Sequence, residues 1–238
     1  MTAAPTELLH RDDQLVVVNK PAGVLVHRTE LAPDRDVLMM RVRDLIGAHV
    51  WPVHRLDRGT SGALVFALSS ARAHELALAF EHGGVEKRYL ALARGEPPPE
   101  VEVDYPVPRG EGKARVPART RFRRLYAGGW FSLMEAEPFT GRYHQIRRHL
   151  AHLRHPVGND SNYGTGWFNR KLRADAELHR LALHAASLTL PVPGGVLRVE
   201  APLPPDFSDA LRRLGVVGPL AALAPSAPPP LPGEAPAL

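Results

Sequence analysis

The pattern of apolar and polar residues along the chain predicts a mixed fold of strands and helices. Short continuous or alternating apolar runs predict strands at residues 15–18, 63–68, 86–93, 131–137, 181–190 and 196–201. Between residues 115 and 124 charged and uncharged side chains alternate, which predicts an exposed strand with a basic face.

Helical spacing of apolar residues predicts the helices between these strands. Ser69 has the side chain of an N-cap, and Gly47 and the pair Gly83-Gly84 follow helical stretches as stop signals. A short helix is also predicted at residues 206–214. The expected buried stripes are Leu38, Val42 and Leu45; Ala73, Leu76 and Phe80; and Ile146, Leu150 and Leu153.

Two stretches lack such periodicity. Residues 96–120 are rich in proline and charge, and we interpret them as a long irregular excursion within a domain. From residue 218 onward seven of 21 residues are proline and only Glu234 is charged, which predicts a disordered tail. The expected organisation is one domain over residues 1–217 followed by the tail at 218–238.

Charge and composition narrow the range of functions. The formal net charge is +5, and residues 109–154 alone hold eleven basic and three acidic side chains, which suits a polyanionic partner. The chain has no cysteine, so a disulfide framework, a thiolate nucleophile and a cysteine-bound metal are excluded, and with them an RNA cytidine deaminase. No signal peptide and no apolar run of spanning length is visible, so we expect a soluble, cytoplasmic protein.

The stretch His54-Arg55-Leu56-Asp57-Arg58-Gly59-Thr60-Ser61-Gly62 contains the strongest candidate for chemistry. Asp57 lies between two arginines, which favour its ionised form, and it precedes a predicted strand that would hold it rigidly. The alternative is an ordinary turn in which Asp57 and Thr60 bond their own backbone.

Histidines 144, 149, 152 and 155 invite a comparison with metal sites. No HExxH string is present, and imidazoles at helical spacing without carboxylate support seldom bind a metal. We therefore expect no metal, and assign these side chains to capping, packing or RNA contacts.

The stretch around Asp57 resembles the signature of the RluA-type pseudouridine synthases. Three further stretches resemble motifs of the same family and occur in the family's order, within residues 8–205. They are Asn19-Lys20-Pro21-Ala22-Gly23, Lys87-Arg88-Tyr89 and Gly141-Arg142-Tyr143-His144-Gln145-Ile146-Arg147.

The resemblance implies the pseudouridine synthase catalytic fold, a mixed α+β domain with a curved, mainly antiparallel sheet, flanking helices and a central cleft with Asp57 at its floor. It also implies that Asp57 is the catalytic residue, an Asp nucleophile, and that Arg55 helps to evert the target base. Tyr89 would lie against the uracil, and Arg147 would pair with Asp57. The four motifs supply the other candidates for RNA contacts: His54, Arg58, Thr60, Arg142, His144 and Lys20. For Lys20 a turn that braces the catalytic loop is the favoured alternative.

Isomerisation of uridine needs no redox change, energy carrier or metal, so no cofactor is expected. The resemblance is strongest to family members that modify uridine 65 in the T stem of tRNA, which makes tRNA the expected partner and ribosomal RNA the alternative. Gly59 and Asn159 depart from the family pattern. Neither departure removes a catalytic group, and both bear on which uridine is modified. A non-catalytic RNA-binding protein on the same scaffold is a second alternative. We expect a monomer without the small S4 RNA-binding domain of many ribosomal members.

Overall fold

A computed structural model describes residues 6–27 and 36–216, which form five helices and twelve strands. The predicted disordered tail at 218–238 lies outside these residues. The helices are α1 (Leu38–Ile46), α2 (Ser70–Glu81), α3 (Gln145–His152), α4 (Gly166–Ala176) and α5 (Pro205–Arg213). The strands are β1 (Glu7–Arg11), β2 (Leu15–Lys20), β3 (Trp51–Pro52), β4 (Ser61–Ala67), β5 (Glu86–Arg94), β6 (Glu100–Asp104), β7 (Val107–Pro108), β8 (Arg115–Val116), β9 (Arg119–Ala127), β10 (Phe131–Pro138), β11 (Leu183–Val192) and β12 (Gly195–Glu200).

Ten of the strands form one sheet in the order β1-β2-β4-β11-β5-β10-β9-β6, with β3 beside β4 and β12 beside β11. Strands β4 and β11 run parallel, and the other described pairs in this sheet are antiparallel. Strands β7 and β8 form a separate hairpin. The prediction of a mixed fold with a large, mainly antiparallel sheet is confirmed.

Alternate residues of each central strand pack on opposite faces of the sheet. On β2, Val16 and Val18 join the larger apolar core, whereas Leu15 and Val17 join the smaller one. The larger core also contains buried residues of α1, α3, α4 and α5, and the smaller one contains Leu76 of α2. Because both faces are covered, the central strands consist almost entirely of apolar residues.

The order of the strands brings distant motifs together. Ala185 on β11 is the register partner of Gly62 on β4 and also of Tyr89 on β5. The loop that carries Asp57 leads directly into β4, so it emerges beside the start of β5, two strands away across the sheet.

The structure corrects several sequence-based expectations. Residues 96–120 are not irregular throughout, because β6 pairs along β9 at the edge of the sheet and β7 and β8 form a hairpin. Prolines and the alternating acids of β6 hid this pairing from the periodicity. Helix α4 and strand β1 were not predicted.

Two buried stripes differ in detail from the prediction. On α1, Leu45 is 52% exposed and Ile46 is buried instead, since the stripe follows the spacing i, i+4, i+8. Leu153 is the C-cap of α3 and is only partly buried. Along the part of the chain that the structure describes, no helix combines the length and apolar character needed to cross a membrane.

Candidate active site

A cavity of about 480 Å³ lies beside the loop that carries Asp57. Its wall includes the three catalytic candidates Asp57, Tyr89 and Arg147, which are far apart in sequence. We call it the Asp57 cavity. Residues 53–57 and Thr60, helix α2, strand β5 and the approach to α3 at residues 140–144 supply most of its wall.

The turn at residues 20–23 holds the Asp57 loop through hydrogen bonds. The Lys20 ammonium donates hydrogen bonds to the carbonyl oxygens of Pro21 (3.0 Å), Arg58 (3.2 Å) and Thr60 (2.7 Å). The Gly23 N–H donates to the Arg58 carbonyl at 2.7 Å, and the Thr60 N–H donates to the Asp57 carbonyl at 3.0 Å. These hydrogen bonds hold the backbone of residues 57–60, from the carboxylate onward.

The assignment of Lys20 as an RNA contact is corrected by this geometry. Its side chain has no exposed surface, and all three ammonium hydrogens are used by backbone carbonyls. Burial lowers the Lys20 pKa to about 7, and the charge of Asp57 opposes that shift. Lys20 is a brace for the loop, the alternative that was favoured from the sequence.

Arg147 connects Asp57 to a second, fully buried carboxylate. Its Nη1 donates to Asp57 Oδ2 at 2.9 Å, while Nε and Nη2 donate to the two oxygens of Asp160 at 2.7 and 2.8 Å. Nη2 also donates to Asn162 Oδ1 at 3.1 Å. Burial alone would lower the pKa of Arg147, but Asp160 and Asp57 outweigh it and hold that pKa above its ordinary value.

Asp160 is itself fixed by the chain around it. Its Oδ1 accepts hydrogen bonds from the backbone N–H groups of Asn162 (2.9 Å) and Tyr163 (3.1 Å). Burial alone would raise the pKa of Asp160, but Arg147 and these N–H groups keep it below its ordinary value. Asp160 is therefore ionised and holds the Arg147 guanidinium in one orientation.

His144 is the second neighbour of the Asp57 carboxylate. Its Nε2 lies 3.7 Å from Asp57 Oδ2, and its Nδ1 is hydrogen bonded to the Tyr163 hydroxyl at 3.1 Å. The residue is the N-cap of α3 and has φ of 53°, an unusual conformation for a side chain with a Cβ. Burial lowers the pKa of His144 despite the charge of Asp57, so the ring is neutral at neutral pH.

Tyr89 presents its ring to the cavity from β5. Burial, together with the charge of Asp57, raises its pKa, so the phenol keeps its proton at neutral pH. That protonation state is consistent with a side chain that stacks on a base and unsuited to one that removes a proton.

The remaining candidates of the Asp57 loop have different surroundings. His54 lines the cavity, stacks on Phe80 with ring centroids 4.4 Å apart, and accepts a hydrogen bond from the Val65 N–H. Burial and then Lys87 lower the His54 pKa to about 3. Thr60 lines the cavity and is buried, with no hydrogen-bond partner for its hydroxyl among the residues described.

Arg58 supports the loop from outside the cavity wall. Its Nε donates to the Gly23 carbonyl at 2.9 Å, across to the bracing turn. A contact between Arg58 and RNA stays a prediction.

Arg55, Arg109 and Arg142 lie at the cavity with exposed side chains. Within residues 6–27 and 36–216 none of the three forms an ion pair with a carboxylate. Their charge is free to attract a phosphate.

The exposed arginines of β9, in contrast, form ion pairs with carboxylates. Arg119, Arg121 and Arg123 are exposed on one face, as the alternation predicted, but each lies within 4.0 Å of a glutamate carboxylate on a neighbouring strand. The glutamates are Glu102, Glu137 and Glu135. This face is an interleaved ladder of opposite charges, which corrects the expectation of a strand with a basic face.

The histidines of α3 have structural partners. His149 is buried between the Thr120 hydroxyl and the Tyr105 carbonyl, each 2.9 Å away. His152 stacks on Tyr105, and His155 Nδ1 is 2.7 Å from the Arg94 carbonyl.

Sequence reasoning missed Asp160, Tyr163 and Lys87 as members of the site. Lys87 was named only as part of a motif, although it lines the cavity and is buried. Asp160 and Tyr163 lie in a loop whose local sequence has no periodic signal. Only the contact of Asp160 with Arg147 shows its importance, and that contact depends on the tertiary fold.

Comparison with known proteins gives consistent matches over most of the chain. A family model described as RNA pseudouridylate synthase matches residues 14–152. The tRNA pseudouridine synthase C of Salmonella typhimurium is 42% identical, over 88% of this chain and 90% of the relative. The protein of the same name from Vibrio cholerae is 42% identical, over 76% of this chain and 84% of the relative.

Solved structures show the same likeness. Human RNA Pseudouridylate Synthase Domain Containing 4 superposes with a TM-score of 0.73 at 30% identity, covering 88% of this chain and 93% of the human one. Human RNA Pseudouridylate Synthase Domain Containing 1 superposes with a TM-score of 0.71 at 28% identity, covering 97% and 100%.

Proposed function

Because this chain belongs to the RNA pseudouridylate synthase family, we propose that it converts a uridine of tRNA to pseudouridine, at position 65 in the T stem. The observation that carries the proposal is the Asp57 carboxylate, held by Arg147 on the wall of a cavity that also contains Tyr89. The choice of tRNA rests on the relatives named tRNA pseudouridine synthase C.

The reaction breaks the C1′–N1 bond, turns the uracil and joins its C5 to C1′. Arg147 binds only Oδ2 of Asp57, and Oδ1 has no hydrogen-bond partner within the described part of the chain. One oxygen is thus held in place while the other is available to react. A positioned carboxylate of this kind suits either attack on the base or stabilisation of charge at the sugar.

A uridine inside an RNA helix must leave the stack before it can reach Asp57. Tyr89 offers a ring on which the everted uracil can stack, and the exposed guanidinium of Arg55 can occupy the space left behind. Arg109 and Arg142 lie where they can contact the flanking phosphates.

Release of tritium from 5-tritiated uridine in transcribed tRNA tests the proposed reaction. The wild-type protein is expected to release one label per modified tRNA, and Asp57→Asn to release none while its tRNA affinity stays within about threefold. A wild-type protein that binds tRNA but releases no label would instead be a non-catalytic RNA-binding protein.

Carbodiimide mapping of the products identifies the target. Modification confined to position 65 of tRNA supports the proposal. Modification of ribosomal RNA with unmodified tRNA would support the ribosomal alternative.

A further inference from the structure

Two lysines are almost completely buried, and their surroundings are opposite. Lys20 donates to three backbone carbonyls. Lys87 is also buried, with 5% of its surface exposed, yet its ammonium has no hydrogen-bond partner within residues 6–27 and 36–216. The centroid of the Phe80 ring lies 6.0 Å from Nζ.

A buried ammonium without a partner is costly, so it calls for an explanation in function. Lys87 lies two residues before Tyr89 on β5, and alternate residues of a strand point to the same face. Both side chains line the Asp57 cavity. The unpartnered charge is therefore on the same wall as the ring that the proposed function assigns to the uracil.

The reaction of the substrate places negative charge on the base. If the C1′–N1 bond breaks first, its electron pair stays on the uracil, and the negative charge spreads to the carbonyl oxygens O2 and O4. If Asp57 first adds to C6 of the ring, the charge appears on O4. Either route places negative charge on the carbonyl edge of the base.

The other cations of the cavity are less suited to this task. Arg147 is occupied by Asp57, Asp160 and Asn162. Arg55, Arg109 and Arg142 are exposed, where water weakens their field. A cation held away from water stabilises developing charge far more effectively.

We propose that Lys87 is a catalytic residue whose ammonium binds the carbonyl edge of the everted uracil and stabilises the negative charge that forms there. This inference rests on the proposed function. The C1′–N1 bond breaks with its electron pair on the base, the ring supplies a pair at C5 for the new C5–C1′ bond, the C5 proton leaves to water, and N1 takes a proton from water. On the route in which Asp57 adds to C6, loss of the C5 proton restores the C5=C6 double bond and expels the Asp57 carboxylate. Lys87 keeps its proton throughout and donates a hydrogen bond to the carbonyl oxygen of the uracil.

Single-turnover tritium release with Lys87→Met tests the proposal. Methionine fills similar space without charge, and we expect a rate on the order of 10²–10³-fold lower, as for the loss of one group that stabilises an oxyanion. Affinity for tRNA is expected within about threefold of wild type, because the side chain is buried. Lys171→Met, which changes a partly exposed lysine paired with Asp175, is the matched control and should keep the wild-type rate.

Thermal unfolding separates this role from a structural one. Removal of an unpartnered buried charge should leave Lys87→Met as stable as wild type or more stable. Lys20→Met should instead be clearly destabilised, since three carbonyls lose their donor. A destabilised Lys87→Met, or one with a rate within about threefold of wild type, would overturn the proposal.

The pH profile gives a second measurement. Burial, and then the charge of Arg142, lowers the pKa of Lys87 to about 8, so the cationic form is lost as the pH rises above that value. The wild-type rate should fall there, and this fall should be absent in Lys87→Met. The other charged or titratable groups that share the cavity, besides Asp57 with Arg147 and His144, are His54, Tyr89, Tyr143, Glu81, Arg55, Arg109 and Arg142.

An alkaline fall that is identical in Lys87→Met would assign the titration to another group and contradict the proposal. Wild-type protein that releases no label would refute the proposed function itself, so the two failures are distinguishable.

Discussion

At the scale of single residues, the site depends on how one arginine is shared between two acids. Arg147 gives two of its nitrogens to Asp160 and one to Asp57. The charge of Asp160 compensates that of Arg147, and Arg147 orients Asp57 through a single hydrogen bond. Removing one member of a buried set of ion pairs is costly, because a remaining buried charge then has no partner.

Replacement of Arg147 should therefore affect catalysis much more than binding. For Arg147→Ala we expect a turnover lower by about 10²-fold or more, with tRNA affinity within about threefold, since the guanidinium is largely inaccessible. Single-turnover rates and a filter-binding titration measure the two effects. Equal losses in rate and affinity would contradict the assignment.

Asp160 should act through Arg147 as a positioning residue. Asp160→Asn is expected to lower the rate by about 10-fold or more, because an amide cannot accept both guanidinium hydrogen bonds. In a protein that already carries Arg147→Ala, the same change should cost little further rate. Additive effects of the two changes would show that Asp160 acts independently of Arg147.

At the scale of elements, the junction of β4 and β11 positions the loop that carries Asp57. Gly62 has φ of 117°, and a Cβ at this position would lie 2.1 Å from the Ala185 carbonyl oxygen. The two strands approach closely here because one residue lacks a side chain.

Gly62→Ala should consequently destabilise the protein by about 3 kcal/mol or more, through a clash with backbone that cannot move aside. Gly194→Ala is the control, since Gly194 has φ of 83° but open space around the Cβ position. It should cost about 1 kcal/mol from backbone strain alone. Urea unfolding measures both values, and equal losses would argue against a close approach at Gly62.

The same junction contains a buried histidine that should make the fold sensitive to acid. His184 is hydrogen bonded to the Ser61 hydroxyl and, through Nε2, to the Ala201 carbonyl. Burial lowers its pKa from 6.5 to about 4. As the pH falls, His184 takes up a proton in the unfolded chain before it does so in the folded protein. The stability that neutral His184 contributes is therefore fully present above pH 6.5 and is lost as the pH falls toward 4.

The expected loss from His184 is about 3 kcal/mol between those two pH values. His184→Gln should show a weaker dependence of unfolding free energy on pH over this range, whereas His179→Gln, at an exposed position, should match wild type. Chemical denaturation at several pH values provides the test. A pH dependence unchanged in His184→Gln would refute this account.

At the scale of the whole molecule, the positive charge is divided into two kinds of surface. The arginines of β9 are balanced by glutamates of neighbouring strands. Arg55, Arg109 and Arg142 at the cavity have no such partners among the residues described. Of these two groups, only the arginines at the cavity carry charge that is not paired with a carboxylate of the described residues and can attract a phosphate backbone.

The salt dependence of tRNA binding should follow this division. Each phosphate contact contributes about 0.9 to the slope of log affinity against log salt concentration, so Arg109→Gln with Arg142→Gln should lower its magnitude by about 2. Arg121→Gln with Arg123→Gln is the matched control and should leave the slope nearly unchanged. Fluorescence anisotropy over a salt series measures both, and a larger effect in the β9 pair would reverse the assignment.

Much of this organisation could be predicted from local sequence. The strands with continuous apolar runs and the helix that begins after Ser69 were predicted because their signals are local: apolar periodicity, an N-cap and a glycine stop. Strand β6 escaped prediction because its acids find their partners on β9, 15 or more residues away in the chain. Helix α4 begins at a glycine and has no side-chain cap, so it lacked the usual signal.

The amino-acid sequence by itself determined the alternation of strands and helices, the four motifs and the carboxylate at position 57, since each depends on residues close together in the chain. Only the tertiary structure decided which basic side chains have hydrogen-bond or ion-pair partners. Lys20 donates to carbonyls of the Asp57 loop and the β9 arginines pair with glutamates of other strands, whereas Lys87 is buried without a hydrogen-bond partner among the residues described. Burial and pairing are properties of surroundings that the fold assembles, so a local pattern cannot distinguish a bracing lysine from an unpaired one.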